Sequence, residues 1–386
     1  MLKAVCPRSR LFERLQIVGR AVSSRSTLPI LSNVFVEGEG ERLRFVATDL
    51  ELGIECSMEA EVVEAGSLTA PARIFTEVVQ NLPEAAVTIE ADETNTARVT
   101  CGTSEYAIRG LPAEEFSSLP DLVDPVSYTV PERLLRRVIE QTSFAASPDE
   151  TRPILTGGLF SVSGTEARLV ATDTHRLALR RLPEISPAEA ATGESEGGKA
   201  EGAKEEAQMN VIVPARALRE VAAVLDGESE EPVTMSITST QVAFEVRDIR
   251  ICSRLIEGEF PKYEKVIPEE YERKAVLSIA EFQQALRRAL IVAREDANRV
   301  VLSLGSDAMT ITADSQDVGR GSERIAAQVE GEPLEIAFNA RYLLDALATM
   351  DGEQVDLELC GALKPGLLRM SGDQDYTYVL MPMQIM

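Results

Sequence analysis

The sequence contains one histidine in 386 residues, His175, and five cysteines that are widely scattered. The cysteines form no C-x-x-C pair, which argues against both a disulfide framework and a zinc site. No apolar run approaches the roughly 18 residues needed to cross a bilayer, and the charged N-terminal segment lacks the apolar core of a secretory signal. We therefore expect a protein of the reducing cytoplasm, with no membrane association, no metal and no cofactor.

The composition is that of a globular protein with a strongly acidic balance. Hydrophobic residues make up 44% and charged residues 26% of the chain, and the length allows two to four domains with separate cores. The formal net charge is −24. An evenly spread charge of that size would repel nucleic acid, so its distribution matters.

Three stretches repeat one pattern along the chain. They read GERLRFVATD, GTEARLVATD and GSDAMTITAD, and they begin at Gly40, Gly164 and Gly305. Each carries β-forming residues on both sides of a turn, which predicts a hairpin. Three copies of one hairpin predict a repeat architecture.

A second repeat consists of helices. Apolar residues at helical spacing predict six helices that begin near residues 6, 70, 130, 213, 279 and 338. Three of them open with proline at or near the first turn, and Ser278 and Asn339 are candidate N-caps. The pattern predicts six half-units, each with one helix and several strands, paired into three domains: 1–125, 126–272 and 273–386.

One segment interrupts the repeat at residues 186–208. It consists mostly of Ala, Glu and Gly, so it cannot bury enough apolar surface to offset the entropy of ordering. We expect a disordered surface loop within the second domain; an acidic binding arm is the alternative.

Positive charge is concentrated on the predicted helices. Their windows sum to +6, which leaves −30 for the remainder of the chain. Arg133, Arg136 and Arg137 fall on the face opposite the apolar one. A basic surface on an acidic body suits a nucleic-acid backbone approached from one side, although ordinary solvated helix faces would give the same pattern.

The chain resembles the bacterial sliding clamp family, the beta subunit of DNA polymerase III, over essentially its whole length. The matching motifs are TLPIL (27–31), ATDLE (47–51), PAR (71–73), ATDTHRLA (171–178), FP-x-Y-x-x-V-x-P (260–268) and YVLMPM (378–383). The resemblance implies an α+β fold of three similar sliding-clamp domains, each with two helices packed on antiparallel β-sheets. Two chains would close head to tail into a six-domain ring.

The resemblance also implies the function. The ring would be a non-enzymatic processivity factor that encircles duplex DNA without sequence preference. Its implied partners are a second copy of the chain, double-stranded DNA, the replicative polymerase, the clamp loader and other DNA repair or replication proteins, all in the nucleoid-associated cytoplasm. Two alternatives are an enzyme that uses Asp173 and His175 as an acid–base pair, and a repeat scaffold that binds proteins but not DNA.

By resemblance, a peptide-binding groove lies between the second and third domains. An apolar groove with methionines suits short extended peptides from many partners. The matching residues are Leu155, Thr172, His175, Arg176, Leu177, Pro261, Val266, Asn339, Tyr342, Leu363, Val379, Leu380, Met381, Pro382 and Met383.

The resemblance also supplies candidates for the two other surfaces. For DNA contact the matching residues are Arg25, Arg73, Arg152 and Arg216, with the helix arginines as lesser candidates. For the dimer we expect Tyr106 and Ile108 to meet Ile291 and Val292 as apolar anchors, and Glu105 to attract Arg320 and Arg324.

The sequence departs from the family pattern at three positions. Thr174 stands where glycine is usual, Gln384 where arginine often follows Met-Pro-Met, and Ala297 where a larger side chain is common. These departures bear on the affinity and motif preference of the groove.

Overall fold

The computed structural model describes residues 2–23, 28–183, 185–188 and 209–385. The described residues fall into two compact units. The first takes them from Met1–Arg133, Ser186–Gly198 and Glu220–Leu255, and the second from Leu134–Ile185, Lys199–Arg219 and Ile256–Met386. The predicted domain boundaries at 125/126 and 272/273 stay predictions.

Six α-helices occur in the described residues, close to the six predicted starts. They are α1 (Arg8–Gly19), α2 (Ala72–Asn81), α3 (Glu132–Thr142), α4 (Ala215–Val224), α5 (Ile279–Ala293) and α6 (Ala340–Leu347). Pro7 and Pro71 occupy the residue before α1 and α2. Ser278 and Asn339 cap α5 and α6 as predicted, because each side chain accepts hydrogen bonds from the first helical turn.

The first unit contains two antiparallel sheets. Its strands are β1 (Lys3–Pro7), β2 (Asn33–Glu39), β3 (Arg42–Thr48), β4 (Leu52–Glu59), β5 (Glu61–Glu64), β6 (Gly66–Pro71), β7 (Ala86–Ala91), β8 (Thr96–Cys101), β9 (Ser104–Arg109), β10 (Val126–Pro131), β14 (Ser186–Pro187), β16 (Pro232–Ile237), β17 (Gln241–Val246) and β18 (Ile249–Arg254). One sheet has the order β5-β1-β7-β8-β9, and the other β14-β10-β16-β17-β18-β4-β3-β2-β6.

The second unit contains one twelve-stranded sheet. Its strands are β11 (Gly157–Ser163), β12 (Glu166–Thr172), β13 (Arg176–Leu182), β15 (Met209–Pro214), β19 (Arg273–Ser278), β20 (Arg299–Leu304), β21 (Ala308–Ser315), β22 (Gly319–Glu330), β23 (Leu334–Asn339), β24 (Gln354–Leu359), β25 (Gly366–Met370) and β26 (Tyr376–Leu380). The order is β15-β11-β12-β13-β26-β25-β24-β19-β22-β21-β20-β23. A large core of this unit packs α5 and α6 around Phe282, Leu286 and Leu343.

The two units share a run of eight strands in one order. The run β10-β16-β17-β18-β4-β3-β2-β6 of the first unit corresponds to β19-β24-β25-β26-β13-β12-β11-β15 of the second. In each run, the last strand of one repeat pairs with a strand of the preceding repeat: β18 with β4, and β26 with β13. The repeat predicted from the sequence therefore extends to the strand pairing itself.

The three predicted hairpins are confirmed as β2–β3, β11–β12 and β20–β21. Gly40 and Gly164, with φ of 59° and 61°, form the turns of the first two hairpins. This left-handed conformation costs glycine little because it has no Cβ.

The predicted disordered segment 186–208 is partly corrected. Its first two residues form β14, whose Ser186 and Pro187 lie opposite Thr129 and Tyr128 of β10. Pairing with an ordered strand supplies backbone hydrogen bonds that the composition alone does not reveal. Residues 189–208 lie outside the described residues.

Thr174 is held in a backbone conformation that disfavours a β-branched residue. Its φ is 77°, as is that of Leu50 at the matching position of the first repeat. We expect Thr174→Gly to raise the midpoint of thermal unfolding by about 2 °C, because glycine removes about 1 kcal/mol of Cβ strain. Leu50→Gly is the matched control and should act in the same direction. A lower midpoint for both variants in scanning calorimetry would contradict the strain argument.

Candidate functional site

A tight turn joins β12 to β13 and presents His175. The Asp173 carboxylate accepts the backbone N–H groups of His175 and Arg176, both at 2.9 Å. The Thr172 hydroxyl donates to the Arg176 carbonyl at 2.7 Å and accepts the Thr174 N–H at 3.1 Å. These bonds fix the turn, and the His175 side chain is exposed at its tip.

This geometry does not support the acid–base alternative. Asp173 uses its carboxylate on the backbone and on the Arg176 side chain, whose Nε lies 3.0 Å from Oδ2. Among the described residues, no group of three or more His, Cys, Asp or Glu side chains is placed to hold a metal ion. The turn is therefore a structural device that orients its neighbours.

Arg176 is the centre of a buried polar network, and only 10% of its side chain is exposed. Besides Asp173, its guanidinium donates to the Asp345 carboxylate at 2.6 Å and to the Phe144 carbonyl at 3.0 Å. It also lies 4.3 Å from the centroid of the Tyr342 ring. Arg176 thereby ties the turn to α6 and to the residues that follow α3.

The sequence did not identify Asp345 and Phe144 as part of this site. The available signal was the spacing of Asp345, three residues after Tyr342 on α6, which places both side chains on one helix face. Burial raises the pKa of Tyr342, and the charge of Asp173 raises it further. Its hydroxyl therefore stays protonated and can act as a donor.

The C-terminal segment borders the turn through backbone hydrogen bonds. After β26, the Met381 N–H donates to the His175 carbonyl at 2.9 Å. The Met383 N–H donates to the Ala337 carbonyl of β23 at 2.8 Å. Met381, Pro382 and Met383 are half-buried, so the two thioethers lie at the edge of a surface that is only partly covered.

An apolar cluster lies beside this segment. Leu177 and Val379 are direct partners across β13 and β26, and they pack with Phe260, Tyr263 and Leu367. The predicted groove residues divide by exposure as follows: Leu155, Thr172, Leu177, Val379 and Leu380 are buried, Arg176, Asn339, Tyr342, Met381, Pro382 and Met383 are half-buried, and His175, Pro261, Val266 and Leu363 are exposed.

Three predicted DNA contacts fall within the described residues, and Arg25 lies outside them. Arg73 and Arg216 are exposed in the first turns of α2 and α4, where the helix dipole disfavours a positive charge. Arg152 is exposed and pairs with Asp149 at 3.1 Å.

The helix arginines are less available than their sequence positions indicated. Many are engaged in ion pairs: Arg8 with Glu84, Arg14 with Asp248, Arg20 with Glu220, Arg133 with Glu230, Arg136 with Glu140, Arg137 with Asp351 and Arg288 with Glu323. The acidic partners come mostly from other elements, which a count along each helix cannot include. These partners neutralise part of the positive charge that the helix sequences carry.

The predicted dimer residues differ in their availability. Ile291 is 63% exposed and Tyr106 is 46% exposed, whereas Ile108 is only 6% exposed. Its own chain already covers most of Ile108, so little of this side chain is left for a partner to bury, and its place in the dimer contact stays a prediction. Val292 is half-buried against the core.

Two of the three predicted charges at the dimer surface pair with residues of neighbouring elements in the same chain. Glu105 pairs with Arg98 at 3.0 Å, and Arg324 pairs with Asp307 at 3.3 Å. Arg320 is exposed on β22. Any attraction between Glu105 and the arginines of β22 would compete with these contacts.

Two of the three departures from the family pattern occupy the left-handed region. Thr174 has a φ of 77° and Ala297 a φ of 50°. The Ala297 carbonyl accepts a hydrogen bond from the Asn339 side chain at 3.3 Å. The Gln384 carbonyl accepts one from Arg299 at 3.1 Å. The backbones at Ala297 and Gln384 thus hold structural contacts beside the C-terminal segment.

These features define a protein of repeated α+β domains with a partly covered apolar surface beside its C-terminal strand. The chain matches the DNA polymerase III beta subunit N-terminal domain over residues 2–120, the central domain over 129–192 and 199–262, and the C-terminal domain over 264–384.

Relatives and solved structures agree over the full length. The beta sliding clamp of Bacillus subtilis is 33% identical over 99% of this chain and 100% of its own, and that of Synechocystis sp. is 32% identical over 100% of both. The crystal structure of the Bacillus subtilis clamp gives a TM-score of 0.90 with 100% coverage of both chains at 33% identity. That of the Bartonella birtlesii clamp bound to griselimycin gives 0.89 at 29% identity, also with full coverage.

The chain belongs to the DNA polymerase III beta subunit family, the beta sliding clamps. It is a non-catalytic processivity factor of DNA replication with the three-domain clamp fold. Within the described part of the chain, no helix is long and apolar enough to span a membrane.

The Arg176 network should stabilise the second unit substantially. Arg176→Met would leave the carboxylates of Asp173 and Asp345 without their shared partner. We expect the free energy of unfolding to fall by about 3 kcal/mol, since breaking a buried ion pair strands its charges. Arg152→Met removes an exposed pair with Asp149 and should cost far less, because solvent screens such pairs. Equal losses in urea denaturation would contradict a special role for Arg176.

Proposed function

We propose that this chain closes as a head-to-tail homodimer around duplex DNA and holds its partners by a groove beside the C-terminal strand. The partners are the replicative polymerase, the clamp loader and other DNA repair or replication proteins, in the nucleoid-associated cytoplasm. The observation that carries the proposal is the pair of backbone bonds from Met381 and Met383, which hold two thioethers next to the His175 turn.

The chemistry of this groove suits extended peptides with apolar anchors. Leu177, Val379 and Leu155 would supply the floor, and the methionines an adaptable wall, since thioethers repack easily. The exposed Pro261 and Val266 would complete the opposite wall. His175, Asn339 and the Tyr342 hydroxyl offer polar contacts, while Arg176 positions the turn rather than the peptide. Thr172, Leu363, Leu380 and Pro382 complete the proposed lining.

Deleting Met381 to Met386 should weaken binding of polymerase and loader peptides without dissociating the dimer. The deletion removes one wall, and losing a buried anchor commonly costs about 1–3 kcal/mol. Met383→Ala should produce a smaller loss in the same direction. Fluorescence polarisation with a labelled polymerase peptide measures the affinity, and sedimentation should give a mass of twice that of one chain, which is 42.0 kDa for the full sequence and slightly less for the deletion. Unchanged affinity in the deletion would contradict the groove assignment.

The DNA-facing surface is proposed to act through a few weak phosphate contacts. Arg73 and Arg216 are exposed in helix first turns, where backbone N–H groups also favour anions. Arg25 and Arg152 would add to them. A ring holds DNA topologically, so contacts that are individually weak and sequence-independent are sufficient and do not oppose sliding.

The double change Arg25→Ala with Arg73→Ala should shorten residence on DNA while sparing peptide affinity. Each contact should contribute little alone because phosphate binding is spread and screened by salt. Arg44→Ala is the control, since that side chain is paired with Glu37 and Glu55 on the sheet. Residence can be followed by single-molecule fluorescence on circular DNA. The assignment fails if neither the double change nor added salt alters residence.

The dimer is proposed to repeat the strand pairing found inside the chain. Within the chain, β18 pairs with β4 and β26 pairs with β13. In the repeat, β9 corresponds to β18 and β26, and β22 corresponds to β4 and β13, but β9 and β22 do not pair with each other. β9 is the edge of its sheet, and the Gly319–Ala326 part of β22 pairs on one side only, with β21. Joining β9 of one protomer to β22 of its partner would satisfy both edges.

The apolar contact of the dimer has an internal counterpart. Counted from the starts of their helices and strands, Ile291 corresponds to Phe144 and Tyr106 to Tyr378. The Phe144 and Tyr378 rings lie 5.7 Å apart. This contact supports Ile291 against the partner's Tyr106 as the apolar centre, with Val292 beside it.

The same correspondence adds a charge pair to the proposal. Arg320 lies opposite Asp314, an arrangement similar to that of Arg176 beside Asp173. Counted from the start of its helix, Glu77 of α2 corresponds to Asp345 of α6. Arg176 and Asp345 pair at 2.6 Å. We therefore expect Arg320 to pair with Glu77 of the other protomer. Glu105 and Arg324, which have partners in their own chain, would contribute less.

Ile291→Arg should give monomers, because it places a charge in the apolar centre of the interface. Leu363→Arg is a matched control on another exposed apolar residue and should leave the dimer intact. Sedimentation equilibrium over a dilution series separates the two. A dimer indifferent to Ile291→Arg would place the interface elsewhere.

Arg320→Glu should raise the dimer dissociation constant about fivefold, the scale of an exposed ion pair. Combining it with Glu77→Arg should restore the wild-type constant, since the pair is reversed rather than lost. The same dilution series measures both. Equal weakening by the single and the double variant would show that these two side chains do not meet.

A further inference from the structure

The first unit contains a junction built like the one beside the proposed groove. β18 pairs with β4 as β26 pairs with β13. At the ends of these pairs, the Arg254 N–H donates to the Glu51 carbonyl at 2.9 Å, and the Met381 N–H donates to the His175 carbonyl at the same distance. The backbone framework of a groove is thus present twice.

The side chains on this framework differ at the floor. In the second unit Leu177 lies opposite Val379, whereas in the first unit Gly53 lies opposite Cys252. Gly53 has no side chain to fill the space above the sheet. The floor of the first junction therefore contains a gap where Leu177 stands in the second.

Leu119 fills that gap. Its Cδ2 atom lies in the space that a Cβ on Gly53 would take. The side chain is 8% exposed and packs with Val46, Ala243 and Cys252. At the matching place in the second unit stands Tyr263, which packs beside Leu177 instead of replacing it.

The segment that carries Leu119 is held at both ends. Phe116 stacks on Phe35 with ring centroids 5.3 Å apart. Arg250 donates to the Pro120 carbonyl at 3.4 Å. Leu119 therefore enters the junction from a short segment fixed on either side of it.

We propose that the first junction is a second groove of this chain, held closed by its own Leu119, which occupies the space over Gly53. The comparison with a groove rests on the proposed function, whereas the closure does not. Because Leu119 fills the space over Gly53, each chain would have only one open groove, the one proposed beside the C-terminal strand.

Alkylation of Cys252 by iodoacetamide, followed peptide by peptide with mass spectrometry, tests the closure. Burial raises the pKa of this thiol to about 11, so it reacts slowly while Leu119 covers it. Leu119→Ala should accelerate its labelling about tenfold through local opening. Leu119→Met, which fills a similar volume, should leave the rate near wild type.

Gly53→Ala is the sharper variant because it adds a methyl group and removes no contact. If Leu119 occupies the space, the new methyl must displace it, and Cys252 labelling should again accelerate about tenfold. Cys56, which is fully buried on β4, serves as the reference for general unfolding and should stay protected. An unchanged Cys252 rate in Gly53→Ala, or parallel acceleration of Cys56, would overturn the proposal.

A double variant gives a second, independent readout. In Gly53→Ala with Leu119→Ala, the added methyl takes part of the vacated space. The fall in unfolding midpoint should therefore be smaller than the sum of the two single falls. Strictly additive falls would overturn the proposal. Neither readout uses a partner peptide, so a failure of the proposed function would leave both results unchanged.

Discussion

Strand pairing between successive repeats is the constraint on which the rest of this structure depends. The bonds between β18 and β4, and between β26 and β13, fix the register at each junction. Once the register is fixed, corresponding residues of the two junctions occupy corresponding positions. A single difference, Gly53 in one and Leu177 in the other, then determines whether the junction has a side chain of its own at its floor. The open edges of β9 and of the Gly319–Ala326 part of β22 are the places where we propose that a second copy of the chain pairs.

Closure of the proposed ring would explain how a chain with a net negative charge can stay on DNA. Many helix arginines form internal ion pairs, such as Arg14 with Asp248, which weakens the attraction of these helices for a phosphate backbone. Weak attraction is compatible with function if closure, rather than affinity, keeps the protein on DNA. In the proposed ring, exposed arginines such as Arg73 would only have to keep the duplex centred.

The local and repetitive features could be predicted from the sequence. Periodicity located the six helices, Ser278 and Asn339 were identified as caps, and the glycine-to-aspartate repeat identified the hairpins. These features depend on residues close in the chain, where spacing carries the physical information. The family resemblance extended this to the fold and function.

Contacts between residues far apart in the chain could not be predicted from the sequence. Arg176 finds Asp345 across 169 positions, and no local pattern marks that pair. Ile108 alternates like an exposed strand residue, yet its own domain buries it. The position of Leu119 over Gly53 likewise depends on two segments that meet only in the folded chain.

Closure of a dimeric ring is what we propose retains the protein on DNA. The most direct measurement loads the labelled protein onto nicked circular DNA with a clamp loader, isolates the complex by gel filtration, and then linearises the DNA. If closure retains the protein, it should stay on the circle at moderate salt and be lost rapidly once the ends are free. Equal retention on circular and linear DNA, or failure to remain on the circle, would contradict it.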